Sequence, residues 1–526
     1  MMSDDPLSVY KVLMSARTID GVSEQKALEY IEALIDVSFD ARETEGLVRG
    51  IDWAKRLRER NLNSGQSALL HYFTANAWEN LRRLRRQTPE SRWEWDQEEV
   101  EHEIFHYRSS LREKGLSELE PERELQVLTN LGNLLGNGGR FSEAIEYWDR
   151  VLAKSHLFGM AHGNRGAFLC DYARALYDRG HQVIFFKYAH AELKTALSLE
   201  LYDDARKHFD ELRAEIESKV PHQWLEEETN LNGRSVGRSR AEKRYRGWCL
   251  ENRLFLNPLN DLGPYQIAAR DVLGTPAIVV AISEGPYYQG YFNQMKQEFV
   301  SARYIYCEGI NLGRLHFSDR NVTLFNTLDY PAYSLAVEKV KAAFRITYSM
   351  FDKVAYFLNH YLGLSIPERQ VSFRTIWYES QNKKRGLRDY FEHRDNWPLR
   401  GLFWLSKDLY EDKPGFRESI EPDAQEIVNI RNHLEHKYLK LHDSLWSGRH
   451  SNDKEIDRAL SDTLAFSLYR CDFEAKTLRL LKMARAALIY LSLAIHREEQ
   501  RRASERGPDA KIGLMPSSLI EDEWKV

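Results

Sequence analysis

The sequence predicts a mostly α protein: an N-terminal array of short helical hairpins, a small irregular segment with some β character, and a C-terminal four-helix bundle. Three observations lead there. From the N-terminus to Lys219 proline is almost absent, and Leu, Ala, Glu and Arg, all strong helix formers, dominate. From Pro331 onward, apolar residues recur every three or four positions in four successive stretches. No alternation of strand and helix patterns suggests a parallel sheet. At 526 residues, with 43% hydrophobic and 12% aromatic residues, the chain is too long for one core and has ample material to bury. The reading divides it into a helical-repeat domain at 1–219, a connecting region with a basic loop at 220–330, the bundle at 331–500 and a tail at 501–526.

The clearest unit of the array is LQVLTNLGNLLGNGGRFSEAIEYWDRVLAKS. Leu128, Leu131 and Leu135 mark one helix, GNGGR a turn, and Ala144, Trp148 and Val151 a second helix. Leu131-Gly132, then Ala144 and the aromatic Trp148, resembles one tetratricopeptide (TPR) repeat, in which small residues let paired helices approach and large ones fill the gap. The terminal proline of that pattern is replaced by His156. Gly166 recurs 34 residues after Gly132, the right period for a second unit, although DRGHQVIFFKY stands where a short turn is expected.

In the connecting region NLNGRSVGRSRAEKRYRGW reads as a loop, TPAIVVAI as a buried strand, FNQMKQEFVSARYIYCEGI as a helix, and HFSDRNVTLFNTLDYP as turns with a short strand. The bundle begins at Pro331, a good first-turn residue, and its first helix carries Val337, Val340, Phe344, Tyr348, Phe351, Ala355, Leu358 and Leu362 before Gly363 stops it. Further helices are predicted near Leu402–Leu409, from Pro422 to His442, and from Phe473 to His496.

The formal net charge of -5 excludes a uniformly basic nucleic-acid coat but not a local basic groove. The four cysteines, Cys170, Cys249, Cys307 and Cys471, form no CxxC pair and no zinc spacing, and read as reduced core thiols. The N-terminus lacks the basic and apolar regions of a secretory signal, and the longest apolar run is about half a membrane span. The protein is expected to be cytoplasmic, with no metal, no cofactor and no membrane partner. P-loop, GxGxxG, HExxH and GxSxG patterns are absent.

Chemistry concentrates in RNHLEHKY, Arg431 to Tyr438. On the predicted third helix Ile427, Ile430, Leu434 and Leu441 form an apolar stripe with Tyr438 beside it, and Asn432 and His436 share the opposite face. Arg431 and Glu435 are spaced for an ion pair. Taken alone this is a solvated helix face. Arg431, four residues, His436, one residue and Tyr438, with Asn432 after the arginine, on a late bundle helix, resembles the motif of the HEPN superfamily. Helical repeats before such a bundle, with a segment like YRGWCLENRLFLNPLNDLG between them, resemble one bacterial HEPN subfamily. The resemblance covers roughly residues 331–500. It implies a metal-independent ribonuclease acting in stress or antiviral defence. His436 would be the general acid/base, Arg431 the phosphate and transition-state clamp, and Asn432 an orienting group. Histidine and arginine suit those roles because imidazole titrates near neutrality and guanidinium grips phosphate in two places. His433 is either an auxiliary proton carrier or an ordinary solvated histidine. Glu435 either tunes Arg431 or simply pairs with it. Tyr438 matches a position adenylylated in HEPN toxins, though packing beside the stripe explains it as well. His360 and His442 read as structural.

Residues five apart on a straight helix point ~140° from each other, so one chain does not bring Arg431 and His436 together easily. The resemblance implies a homodimer in which two motifs line one cleft. For RNA the densest basic run is Arg234, Arg238, Arg240, Lys243, Arg244 and Arg246, with Tyr245 and Trp248 as stacking faces; Lys383, Lys384, Arg385 and Arg388 form a second cluster. A single-stranded loop fits such a cleft. A protein partner or trigger would bind the repeats. The competing reading is a non-enzymatic dimeric scaffold whose repeats hold a partner protein.

Overall fold

Helix-forming sequence builds nearly all of the ordered architecture. The computed structural model describes every residue except 1–5, 117–120, 228, 282, 284, 314, 326, 328, 393, 411–423, 444–463, 507–512, 514–517 and 526. In chain order the first eleven helices are α1 (Pro6–Ser15), α2 (Glu24–Asp40), α3 (Thr44–Arg58), α4 (Ser64–Arg85), α5 (Pro89–Trp93), α6 (Glu98–Arg112), α7 (Pro121–Asn137), α8 (Phe141–Lys154), α9 (Gly159–Ala175), α10 (Arg179–Leu197) and α11 (Asp203–Lys219). They are followed by α12 (His222–Glu226), α13 (Arg240–Glu251), α14 (Leu259–Leu262), α15 (Tyr287–Asn311), α16 (Leu335–Tyr361), α17 (Asp389–Glu392), α18 (Trp397–Tyr410), α19 (Ala424–His436) and α20 (Arg470–Glu505). Two strands, β1 (Tyr438–His442) and β2 (Ala465–Tyr469), pair in parallel with Tyr438 opposite Ala465.

The array stacks antiparallel hairpins. In α7–α8 a Cβ at Gly132 would stand 2.9 Å from Trp148 Nε1, so the glycine admits the indole that fills the hairpin. The turn needs Gly139, whose φ is +84° and whose added Cβ would meet the Trp397 carbonyl of α18 at 2.3 Å. In the next hairpin, Gly166 similarly faces Leu193. The turn before α10 is short after all: DRGHQVIFFKY starts the helix, because the Asp178 side chain accepts from the His181 amide at 2.8 Å and caps it.

Several expectations are corrected. The basic loop is helical from Arg240, capped by Ser239 accepting from the Glu242 amide at 3.1 Å while Glu242 accepts from the Arg238 amide at 2.7 Å. TPAIVVAI, of which Ile282 lies outside the described residues, is not a buried strand. Its described residues have no regular secondary structure and are tied by Ser492 and Tyr177 hydroxyls donating to the Gly274 carbonyl and by the Val279 amide donating to Glu499 of α20. HFSDRNVTLFNTLDYP forms no strand among its described residues. Cys170, Cys249 and Cys307 are buried, as expected, but Cys471 is exposed.

In the C-terminal part α15 lies along α16, both contact α20, and α18 packs on α20 and α19. α16 starts at the Ser334 cap and stops before Gly363 at φ +67°. α20 runs to Glu505, well past His496, because it is sheathed nearly all round by other helices from Leu480 to Ile495. The third bundle helix ends at His436 rather than His442; its expected start, Pro422, lies outside the described residues. Leu439 and Leu441 are buried from β1, not from a helical stripe.

Array and bundle share one core. Asp408 of α18 receives Arg108 of α6 through two 3.0 Å bonds and Arg140 at 2.6 Å, all three groups being buried. Lys407 pairs with Asp96 and Glu101. Asp261 accepts from Arg485 at 2.5 Å, Ser142 at 3.1 Å and Tyr172 at 2.9 Å, joining α14, α20 and two array hairpins.

Candidate active site

α19 presents the motif in two environments. Arg431 is half-buried, one turn before the end. Its guanidinium carbon lies 5.9 Å from the Tyr348 ring of α16, and Nη1 donates to Asn432 Oδ1 at 3.1 Å. Tyr410 of α18 meets Tyr348 edge-on at 6.4 Å. Burial pushes the Asp352 carboxyl up, and the Phe373 amide and the Arg431 charge oppose that shift. His436 is exposed and is the last helical residue. Asn432 therefore partners Arg431, not His436.

Glu435 does not pair with Arg431. It lies 3.3 Å from Arg345 Nε, and Arg345 Nη2 donates to the Leu434 carbonyl at 2.7 Å. His433 Nδ1 is 2.7 Å from the Asn429 carbonyl, so it carries the proton there, and the ring stacks on Phe466 at 5.0 Å. Tyr438 opens β1 instead of lying on the helix, and its hydroxyl is 3.1 Å from that of the neighbouring Tyr333. His442 Nδ1 bonds the Asp329 carbonyl at 2.9 Å, and His360 Nδ1 meets the Tyr288 hydroxyl at 2.9 Å; both are structural partners.

The basic residues fall into two places. Arg234, Arg238, Arg240, Lys243 and Arg244 are exposed on and before α13, whereas Arg246 pairs with Glu242 at 3.1 Å. Tyr245 is a poor stacking face: its hydroxyl accepts from Arg303 at 2.9 Å, and Trp248 is half-buried against Tyr306. These contacts seat α13 on α15. Lys384 and Arg385 are exposed in the turn before α17, Lys383 is half-buried there, and Arg388 donates to the Ile376 carbonyl at 2.9 Å.

An arginine and a histidine thus share the last turns of one helix of the bundle. Residues 279–498 match the family model described as LA2681-like HEPN. The HEPN match spans α15 to α20 and contains the whole motif. It supports a ribonuclease type of activity with RNA as the substrate class. No curated protein and no solved structure matches the chain. Among the described residues no three metal-ligating side chains converge, and no helix is long and apolar enough to cross a membrane.

Sequence reasoning missed Arg345, Asp352 and Tyr410. Tyr348 was legible only as part of the apolar stripe of α16. No sequence signal says which turn of α16 faces α19.

Proposed function

We propose that the protein is a metal-independent endoribonuclease that cleaves single-stranded or loop RNA within a homodimer of its HEPN domain. The observation that carries this reading is the split of the motif at the end of α19. Arg431 is held half-buried by Asn432 and Tyr348, while His436 stands in solvent where the helix stops. Among the described residues no carboxylate lies within ion-pair distance of Arg431, so its fork is open to a phosphate.

In this reading one His436 takes the ribose 2′-OH proton as the 2′-oxygen attacks phosphorus. The P–O5′ bond breaks, and His436 of the second copy protonates the leaving 5′-oxygen. Arg431 neutralises the developing phosphorane charge, and Asn432 keeps it aimed. The products are a 2′,3′-cyclic phosphate and a 5′-hydroxyl. The exposed arginines before α13 and the Lys383–Arg385 turn give the RNA backbone cationic support. The N-terminal hairpins, TPR-like in spacing, would receive the trigger, in keeping with a role in bacterial stress or antiphage defence.

Cleavage of end-labelled RNA in EDTA tests this. His436→Ala and Arg431→Ala should each lower cleavage by ~10²–10⁴-fold while keeping the dimer mass. Wild-type activity in both variants would sink the reading and place any cleavage at a different site or in a contaminant, whereas no cleavage by any of the three proteins would favour the scaffold role.

A further inference from the structure

The end of α19 is set from outside the helix. Its last intrahelical bond runs from the Lys437 amide to the His433 carbonyl at 3.2 Å. The next carbonyl in line, that of Leu434, receives Arg345 Nη2 at 2.7 Å. Arg345 Nε stands 3.3 Å from Glu435 Oε1, so one guanidinium grips the two residues immediately before His436. Carbonyls in a final turn lack helical partners, and a cation there also meets the negative end of the helix dipole. Beyond this point the chain turns into β1, whose Leu441 carbonyl accepts from the Ala332 amide at 2.7 Å. His436 therefore sits between a clamped helix end and a pinned strand.

We propose that Arg345 is a positioning residue for His436: by capping Leu434 and holding Glu435 it fixes where α19 ends and hence the direction the imidazole takes. This rests on the ribonuclease reading above. Arg345 and Glu435 have side chains 42% and 39% exposed, and an ion pair so exposed contributes little to stability. Loss of the grip therefore moves the helix end without unfolding the protein.

The test uses the full chain with Arg345→Leu, Arg345→Lys, His436→Ala and the double variant Arg345→Leu/His436→Ala. Kinetics on labelled RNA, melting temperature and amide hydrogen exchange over 430–440 are measured for each. Arg345→Leu should lower kcat by ~10–100-fold with KM held within about two-fold, because a displaced acid/base costs rate rather than binding. Its melting temperature should stay put while exchange at the helix end rises by about ten-fold. Arg345→Lys, which keeps one donor and the charge, should recover most of the rate. The double variant should be no slower than His436→Ala, since the arginine acts only through that histidine. Unchanged exchange, unchanged kcat beside an inactive His436→Ala, or a raised KM at constant kcat would each overturn the proposal, the last by making Arg345 a phosphate ligand. Wild-type rates in His436→Ala would overturn the ribonuclease reading, and exchange would still report separately whether Arg345 holds the helix end.

Discussion

His71 of α4 and His106 of α6 place their Nδ1 atoms 2.9 Å apart in the array interior. One nitrogen must donate and the other accept, so at least the accepting ring must be neutral. Burial, helped by the Arg58 charge, brings His71 down to about 4, and burial also drives His106 well below its ordinary value. A depressed histidine binds its proton more weakly in the folded than in the unfolded chain. Its effect is therefore nil above the unfolded value near 6.5, and stability is lost as pH falls toward 4. At pH 5 His71 alone should cost about 2 kcal/mol relative to pH 7. Buried Glu103, raised to about 7 chiefly by burial, works in the opposite sense over the same range, so the histidine term must be isolated by difference. His71→Gln keeps a hydrogen-bond partner for His106 but cannot titrate. Urea unfolding at pH 7 and pH 5 should show the gap between variant and wild type shift by about 2 kcal/mol in the variant's favour at the lower pH. An unchanged gap would mean that the pair opens to water and protonates freely.

At the scale of elements, the turn from α19 into β1 depends on a buried ion pair. Lys440 is 2% exposed and its Nζ donates to Asp329 Oδ2 at 2.7 Å, tying β1 to the segment that leads into α16. Asp329→Asn should lower stability because it takes the Asp329 carboxylate from a buried ammonium, whereas Asp329→Asn with Lys440→Met should recover most of that loss. Melting temperatures of the two variants distinguish the outcomes. The same turn marks how much was legible in the sequence. Helix α16 was readable because Ser334, an unbroken apolar period and Gly363 all agree locally. The extension of periodicity from Ile427 to Leu441 misled, because Leu441 keeps a helical spacing by accident while Leu439 and Leu441 alternate as strand residues do. The partner strand lies beyond residues 444–463, and parallel pairing with a distant segment leaves no local trace. In contrast, the Ser239–Glu242 capping box was present in the sequence and was outweighed by the Gly, Ser and Arg around it. The motif residues were legible as chemistry. What holds them, Arg345 and Tyr348, belongs to another helix and could be found only once the packing was known.

The whole molecule behaves as one packed body because charges cross between array and bundle in places water does not reach. Asp408 is fully buried and shared by Arg108 and Arg140, and the Gly139 turn touches the backbone of α18 at Gly401 so closely that a Cβ on either would collide. Trp93 and Trp95 both donate to the Arg394 carbonyl, at 3.0 and 3.1 Å, and Trp397 returns a 2.9 Å bond to the Gly136 carbonyl. Buried charges contribute little net stability while paired, but removing one partner strands the other, at roughly 3–5 kcal/mol each. A chain cut to residues 279–498 would keep Lys407, Asp408 and Arg485 and lose Asp96, Glu101, Arg108, Arg140 and Asp261, exposing the faces of α18 and α20 that the array covers. That fragment should therefore fail to fold cooperatively, although it holds every motif residue. The full chain should melt in a single transition, and Asp408→Asn should lower that transition without splitting it. Calorimetry of the full chain, the variant and the fragment decides the matter. Two separable transitions, or a fragment that melts cooperatively, would mean that array and bundle are independent. A signal arriving at the hairpins could then reach α19 only through a flexible connection, rather than through the clamped end of α18.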